Sequence, residues 1–294
     1  MAYTAVPSSW LQVSLRTDPS TVDAVSNFLI ERGSPGVLIQ KHEVRAYFPE
    51  VKESAAVRRD VQKFIRGIQR TGAQLGDAQL RWRVIKDRNW NSAWRRFFNP
   101  QKVGKKFVVT PPWIKPSRTG QRFVITIEPG LAFGTGTHAT TRGCMEFAER
   151  AAASLRGHNF NALDVGTGSG ILAIALAKLG ATAVRAIDND PVALKVARTN
   201  VALNHVRDNV MVSATRLSKI SGEFSIVVAN LTAETIHDLS HDLKRSVAPN
   251  GFLILSGILK SKADSVFLWF ARNGFKLVLS KNEKEWATLL FRRK

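Results

Sequence analysis

Asp164-Val165-Gly166-Thr167-Gly168-Ser169-Gly170 runs into Ile171-Leu172-Ala173-Ile174-Ala175-Leu176-Ala177 and is answered downstream by Ala186-Ile187-Asp188. The order reads as a strand, a glycine turn, a helix, a second strand and an acid at that strand's end. Such a unit grips a ribose-bearing cofactor: glycines let the backbone approach the ligand, and the acid accepts hydrogen bonds from the ribose hydroxyls. The spacing separates one cofactor from another. A dinucleotide fingerprint, G-x-G-x-x-G, rests a pyrophosphate on the helix N-terminus. Here the third glycine comes one residue early, and Ile171 stands where that fingerprint wants glycine. Asp164 also leads into the turn, where it would repel a phosphate. The pattern suits a ligand with an amino acid and a sulfonium cation but no phosphate, namely S-adenosylmethionine. Asp164, Gly166, Gly168, Gly170 and Asp188 are therefore candidate cofactor-binding residues. An ordinary glycine-rich turn is the competing reading, but it leaves the agreement of turn, leading acid and Asp188 unexplained.

Working outward, strands and helices alternate from Asn161 to the end. Strands are expected at 162–165, 184–187, 210–213, 225–229, 252–256, 275–279 and 286–291. Helices are expected from about Ser169, Asp190, Thr232 and Lys260. Alternation with short connections predicts an α/β fold with a doubly wound parallel sheet. The gap from Ser280 to Glu285 is too short for a crossover helix, so the last strand should insert antiparallel. Upstream, residues 1–85 read β-α-β-α-β as a small α+β domain. It has strand-like stretches at 10–15, 37–39, 44–48 and 80–84. Its amphipathic helices follow Asp18-Pro19 and cover Val57 to Ile68. Residues 86–121 form a connector holding a helical face of Trp90, Trp94, Phe97 and Phe98, then Pro111-Pro112. The catalytic domain is expected over 122–294, opening with a strand from Arg122 to Glu128. Residues 86–88 and 115–120 are candidate hinges.

Composition narrows the function. The chain has 294 residues, with 44% hydrophobic and 22% charged content, as expected of a globular protein of about two domains. It contains no long apolar run that would span a membrane, and its first residues lack a secretory signal, so a cytoplasmic protein is expected. The single cysteine, Cys144, excludes an internal disulfide and a cysteine-rich metal site. Its neighbours Met145 and Phe147 read as core. We expect no bound metal and a monomer. Net charge is +20, and twelve Lys or Arg fall between Arg81 and Arg122 against one acid, Asp87. Aromatics interleave with these cations, so this stretch is a candidate rRNA contact as well as a solvated basic face with a buried aromatic side.

Two further places carry chemistry. Asn230 ends a strand at the mouth of the sheet, where open α/β folds bind their ligands. Its amide is a candidate to orient a reacting group, and a strand-end turn residue is the alternative. The segment Glu128-Pro129-Gly130-Leu131-Ala132-Phe133-Gly134-Thr135-Gly136-Thr137-His138-Ala139-Thr140-Thr141 is rich in glycine and threonine and enters a helix. Its backbone N–H groups and hydroxyls suit a carboxylate. It lacks G-K-[ST], so it is not a nucleoside-triphosphate loop. His138 is a candidate proton acceptor, against a structural role at the helix start.

That loop, the glycine turn, the connector with Trp90, Trp94, Phe98, Gly104 and Trp113, and Ser256-Gly257-Ile258-Leu259 closely resemble the PrmA-type methyltransferases. These modify large-subunit ribosomal protein eleven. The resemblance covers nearly the whole chain. It implies an N-terminal substrate-recognition domain, a linker, and a class I methyltransferase domain using S-adenosylmethionine. It further implies that Thr141, Gly166, Asp188 and Asn230 hold the cofactor, and that lysine ε-amino and N-terminal α-amino groups are methylated. The partner would be a large-subunit ribosomal protein, free or on the ribosome. Another protein substrate and an rRNA or other nucleic-acid substrate are the alternatives. Base-modifying enzymes follow the strand-end Asn or Asp with Pro-Pro-aromatic, and Leu231-Thr232-Ala233 offers no such ring.

Overall fold

The structure is a computed structural model and describes residues 9–17, 21–34, 36–40, 43–49, 54–70, 80–86, 99–117, 119–128, 136 and 138–294. The chain divides into two compact units between Phe98 and Asn99.

The first unit holds β1 (Ser9–Arg16), α1 (Val22–Glu31), β2 (Val37–Gln40), β3 (Glu43–Pro49), α2 (Ser54–Arg70) and β4 (Arg81–Lys86). Its sheet is antiparallel in the order β2-β3-β1-β4. Alternation in β1 sends Leu11, Val13 and Leu15 to one face, where they are buried with Val25 and Leu29 of α1 and Val61 and Ile65 of α2. The Phe28 and Phe64 rings stack with centroids 3.8 Å apart and join the two helices. The expected β-α-β-α-β becomes β-α-β-β-α-β: Gln40 pairs with Glu43, so the stretches at 37–40 and 43–49 are the arms of a tight hairpin. The expected Asp18-Pro19 helix start and the Trp90 helix lie outside the described residues.

The second unit begins with a three-stranded sheet of β5 (Gln101–Val103), β6 (Phe107–Thr110) and β7 (Phe123–Thr126). Residues 99–121, read in the sequence as connector, thus supply two strands to this unit. The segments α3 (Ala139–Ser154), β8 (Asn161–Val165), α4 (Ile171–Lys178), β9 (Ala183–Ile187), α5 (Pro191–Leu203) and β10 (Val210–Ser213) follow. After them come β11 (Phe224–Asn230), α6 (Ala233–Asp238), α7 (Ser240–Ser246), β12 (Val247–Leu259), α8 (Lys260–Arg272), β13 (Phe275–Glu283) and β14 (Trp286–Arg293).

The seven-stranded sheet has the order β10-β9-β8-β11-β12-β14-β13. Strands β10 to β12 run parallel, and β14 inserts antiparallel between β12 and β13, as the short gap before it requires. Helices cover both faces over two separate cores. Helix α4 is buried from Ile171 to Leu176, which explains an apolar run with no polar face. The chain moves outward from β8 to β10 and then returns to β11 on the other side of β8. The switch point between β8 and β11 opens a crevice at their C-terminal ends, where sheets of this kind bind ligands.

Candidate active site

The glycine turn between β8 and α4 adopts the backbone that its residues predict. Gly166, Gly168 and Gly170 have φ of +73°, +55° and +83°, a left-handed region that side chains disfavour. The amides of Gly166 and Thr167 both donate to the Ile187 carbonyl, at 2.9 and 3.0 Å, which binds the turn to the end of β9. The Gly168 amide donates to Asp188 Oδ2 at 2.8 Å. Asp190, immediately before Pro191, caps α5 by accepting from the Val192 amide at 2.8 Å, leaving the cap role filled and Asp188 directed at the turn.

Around this turn lies a cavity of about 600 Å³ lined by Gly166, Gly168, Asp188, Asn230, Thr141 and His138, among others. Six of the sequence-predicted residues therefore meet at one place. Asn230, at the end of β11, forms no side-chain hydrogen bond among the described residues. Thr141, in the first turn of α3, is fully buried, and its hydroxyl has no hydrogen-bond partner among the described residues. A buried unpaired hydroxyl costs roughly 1–3 kcal/mol, so it marks a place where a ligand is meant to bond.

Two predicted residues stand elsewhere. Asp164 does not line the cavity; it is fully buried beneath the turn. Its Oδ2 accepts from Thr167 Oγ1 at 2.6 Å and from the Ala173 amide at 3.1 Å, bracing the turn from below. Burial, only partly offset by those hydrogen bonds, pushes its pKa up to about 7. Gly170 caps α4, and a Cβ there would lie 3.2 Å from the Ala197 Cα; its small size lets α4 and α5 pack closely. At Gly166 a Cβ would fall 2.6 Å from Leu231 Cδ2, inside the space the cavity occupies.

His138 caps α3, accepting from the Thr140 amide at 3.4 Å through Nδ1, which also lies 2.7 Å from Thr140 Oγ1. Its ring meets Trp286 edge-on, with centroids 5.2 Å apart. Burial holds its pKa below the ordinary histidine value. Nδ1 is thus engaged at the start of α3, a contact that fits a capping role for His138. Of the residues 129–135 and Thr137, nothing is described.

Several site residues escaped the sequence reading. Asn200 of α5 donates to the Ser169 carbonyl at 2.8 Å and accepts from the Glu128 amide at 3.1 Å, tying the glycine turn to the start of the threonine-rich segment. Asn204, one turn later, holds Thr126 through both its amide and its carbonyl, at 2.8 and 2.6 Å. Their i, i+4 spacing is the one signal available, since two asparagines four apart on a helix share a face. Gly257 and Trp286 complete the cavity wall. Cys144 is fully buried, and burial holds its thiol protonated, as core packing predicts. Among the described residues no group of His, Cys, Asp and Glu is placed to hold a metal, and no helix is long and apolar enough to cross a membrane.

The donors around the cavity fit S-adenosylmethionine. Asp188 lines the cavity with a carboxylate at the end of β9, Thr141 with a hydroxyl unpaired among the described residues, and no described lysine or arginine lines it to meet a phosphate. Sheet order and cavity together place the protein among the class I S-adenosylmethionine-dependent methyltransferases. Within that class its relatives are specific. A family profile described as "Ribosomal protein L11 methyltransferase (PrmA)" matches residues 9–294. The L11 methyltransferase of Geobacter metallireducens is 37% identical, with 96% of this chain and 98% of the relative aligned. That of Thermoanaerobacter pseudethanolicus is 31% identical over 97% of this chain and 99% of the relative. The crystal structure of ribosomal protein L11 methylase from Lactobacillus delbrueckii subsp. bulgaricus superposes with a TM-score of 0.61 at 31% identity, covering 67% of this chain and all of that one. The chain belongs to the ribosomal protein L11 methyltransferase family.

Proposed function

We propose that this protein methylates lysine ε-amino groups and the N-terminal α-amino group of ribosomal protein L11. The observation that carries the reading is Asn230. It ends β11 with an unengaged amide, on the same cavity as the glycine turn, Asp188 and Thr141. In this assignment Asp188 takes the ribose hydroxyls, while Gly166, Gly168 and Thr141 take the rest of the cofactor. Asp164 and Gly170 shape the turn without touching it.

S-adenosylmethionine supplies an electrophilic methyl group on a sulfonium. A lysine amine, of pKa ~10.4 in water, must enter uncharged to use its lone pair. Partial desolvation between Leu231, Ile171 and Trp286 favours the neutral amine, because burial penalises charge. The Asn230 side-chain carbonyl accepts one amine N–H and fixes the lone pair's direction. Held this way, the amine nitrogen would take the methyl group that the bound cofactor would supply, and the amine proton would leave to solvent afterwards. Orientation supplies most of the acceleration, and no dedicated base is invoked.

The small N-terminal unit would hold the substrate protein, and the basic stretch 81–122 would lie against rRNA when the substrate is taken on the ribosome. A monomer acting in the cytoplasm on free or ribosome-bound protein fits this reading. A nucleic-acid substrate is disfavoured by Leu231-Thr232-Ala233, which gives a flipped base nothing to stack on. Steady-state rates test the assignment. Asn230→Ala should lower kcat by about a hundredfold, the cost of misplacing a reactant. His138→Ala should leave kcat near that of the wild type. An unimpaired Asn230→Ala enzyme would remove the proposed role.

A further inference from the structure

The second unit has a second, larger cleft of about 740 Å³ that shares no lining residue with the cofactor cavity. It lies at the C-terminal end of α3, whereas Thr141 and His138 mark the N-terminal end. The cleft takes helix residues from Glu146 onward and the cofactor cavity takes Thr140 and Thr141, so the two draw on different parts of one 16-residue helix.

The charges lining this cleft do not cancel. Lys105, Lys106, Arg150 and Arg156 all border it, all are exposed, and none forms an ion pair among the described residues. The two acids beside them are already occupied. Glu149 accepts the amides of Lys105 and Lys106 at 3.0 and 2.7 Å, and Glu146 pairs with Lys281 at 2.7 Å. Along the same cleft, Phe123 of β7 keeps 39% of its surface exposed. Four exposed cations outnumber the one lining carboxylate not paired to a cation, Glu149. With the open aromatic ring beside them they form the combination that binds single-stranded nucleic acid, with phosphates on the cations and a base on the ring.

We propose that this cleft binds a single-stranded RNA segment, with Lys105, Lys106, Arg150 and Arg156 contacting phosphates and Phe123 stacking on a base. The choice of RNA rests on the reading of a ribosomal protein substrate, which is presented beside rRNA. An acidic protein segment would match the charge but leave the Phe123 ring without a stacking partner. Docking here would leave the cofactor cavity, at the other end of α3, free to receive an amine.

Fluorescence anisotropy of the full-length protein with a labelled 12-nucleotide mixed-sequence RNA, between 50 and 200 mM KCl, tests the proposal. Four phosphate contacts at a slope near −0.7 each predict that wild-type affinity falls about 50-fold across this range. The double variant Arg150→Gln/Arg156→Gln should bind more weakly at 50 mM and fall only about sevenfold, because roughly two contacts are gone. Phe123→Leu should weaken binding about fivefold or more without changing the salt slope, since stacking carries no charge. Thermal melting should be unchanged in each variant, as should methylation of free L11. Unchanged affinity and slope in the arginine variant would overturn the proposal, as would preferential binding of a poly-glutamate peptide or failure of the wild type to bind RNA. Failure of methyl transfer to free L11 would strike the proposed function instead, because the oligonucleotide readout does not depend on turnover.

Discussion

Asp188 accepts a hydrogen bond from the Gly168 amide at 2.8 Å, so the acid that ends β9 and the turn that follows β8 form one preassembled surface. Its other oxygen accepts from the Asp190 amide at 3.0 Å. A carboxylate has about four acceptor sites, so each oxygen keeps one for a ribose hydroxyl. Replacing Asp188 by Asn preserves an acceptor for Gly168 but removes the charge and one acceptor oxygen. Charge-assisted hydrogen bonds contribute about 1.5–3 kcal/mol, so the Kd for S-adenosylmethionine should rise roughly ten- to a hundredfold in calorimetry. The ligand-free protein should lose only about 1 kcal/mol, because the single amide oxygen can no longer accept from both Gly168 and Asp190. A Kd equal to that of the wild type would remove Asp188 from the ribose site.

Thr141 separates a binding role from a packing role. Its hydroxyl is buried and unpaired, so Thr141→Val exchanges an unsatisfied polar atom for a methyl group of similar size. The ligand-free protein should be as stable as the wild type or up to about 1 kcal/mol more so by urea unfolding. S-adenosylmethionine should bind about tenfold more weakly. Loss of stability together with unchanged binding would show that the hydroxyl serves the fold.

Asp164 gives the ligand-free protein a pH dependence of predictable sign. Its folded pKa is raised to about 7 from an ordinary value of 3.8, so between those pH values the native state binds the extra proton. Stability is then full below pH ~4 with respect to this group and declines as pH rises towards 7, by about 4 kcal/mol at most. In Asp164→Asn the amide oxygen can still accept from Thr167 and Ala173. The variant should lose this decline and be more stable than the wild type at pH 8 in urea unfolding. A wild-type slope retained by the variant would assign the effect to another group.

Gly166 and Gly170 should fail differently when changed to alanine. At Gly170 the new methyl meets the Ala197 backbone at 3.2 Å and φ is +83°, so the cost falls on helix packing. A loss of about 1–3 kcal/mol in stability is expected. At Gly166 the methyl meets the movable Leu231 side chain at 2.6 Å. Leu231 would be driven into the cavity, so cofactor affinity should fall more than stability does. Equal effects on both properties in both variants would contradict this division.

Much of this was legible because it rests on local periodicity. The turn of Gly166, Gly168 and Gly170 needs left-handed backbone, the apolar run from Ile171 needs burial, and the short gap before Trp286 permits only a hairpin. What stayed hidden depends on tertiary partners. The two-sided role of Asn200 appears only once β7 and the glycine turn are brought beside α5. Asp164 looks like a ligand in sequence, but its side chain points beneath the turn into the core. Strand β12 runs on through Pro249, Asn250 and Gly251, residues that read as a break. Strands of three and four residues such as β5 and β6 carry too little pattern to be recognised apart from the sheet they join.

The most direct test of the account incubates the protein with methyl-labelled S-adenosylmethionine and unmethylated large ribosomal subunits, then separates protein from RNA before counting. The account predicts label in ribosomal protein L11, on lysine ε-amino and N-terminal α-amino groups, and none in RNA. Label in the RNA fraction, or on carboxylate or sulfur atoms of the protein, would contradict it.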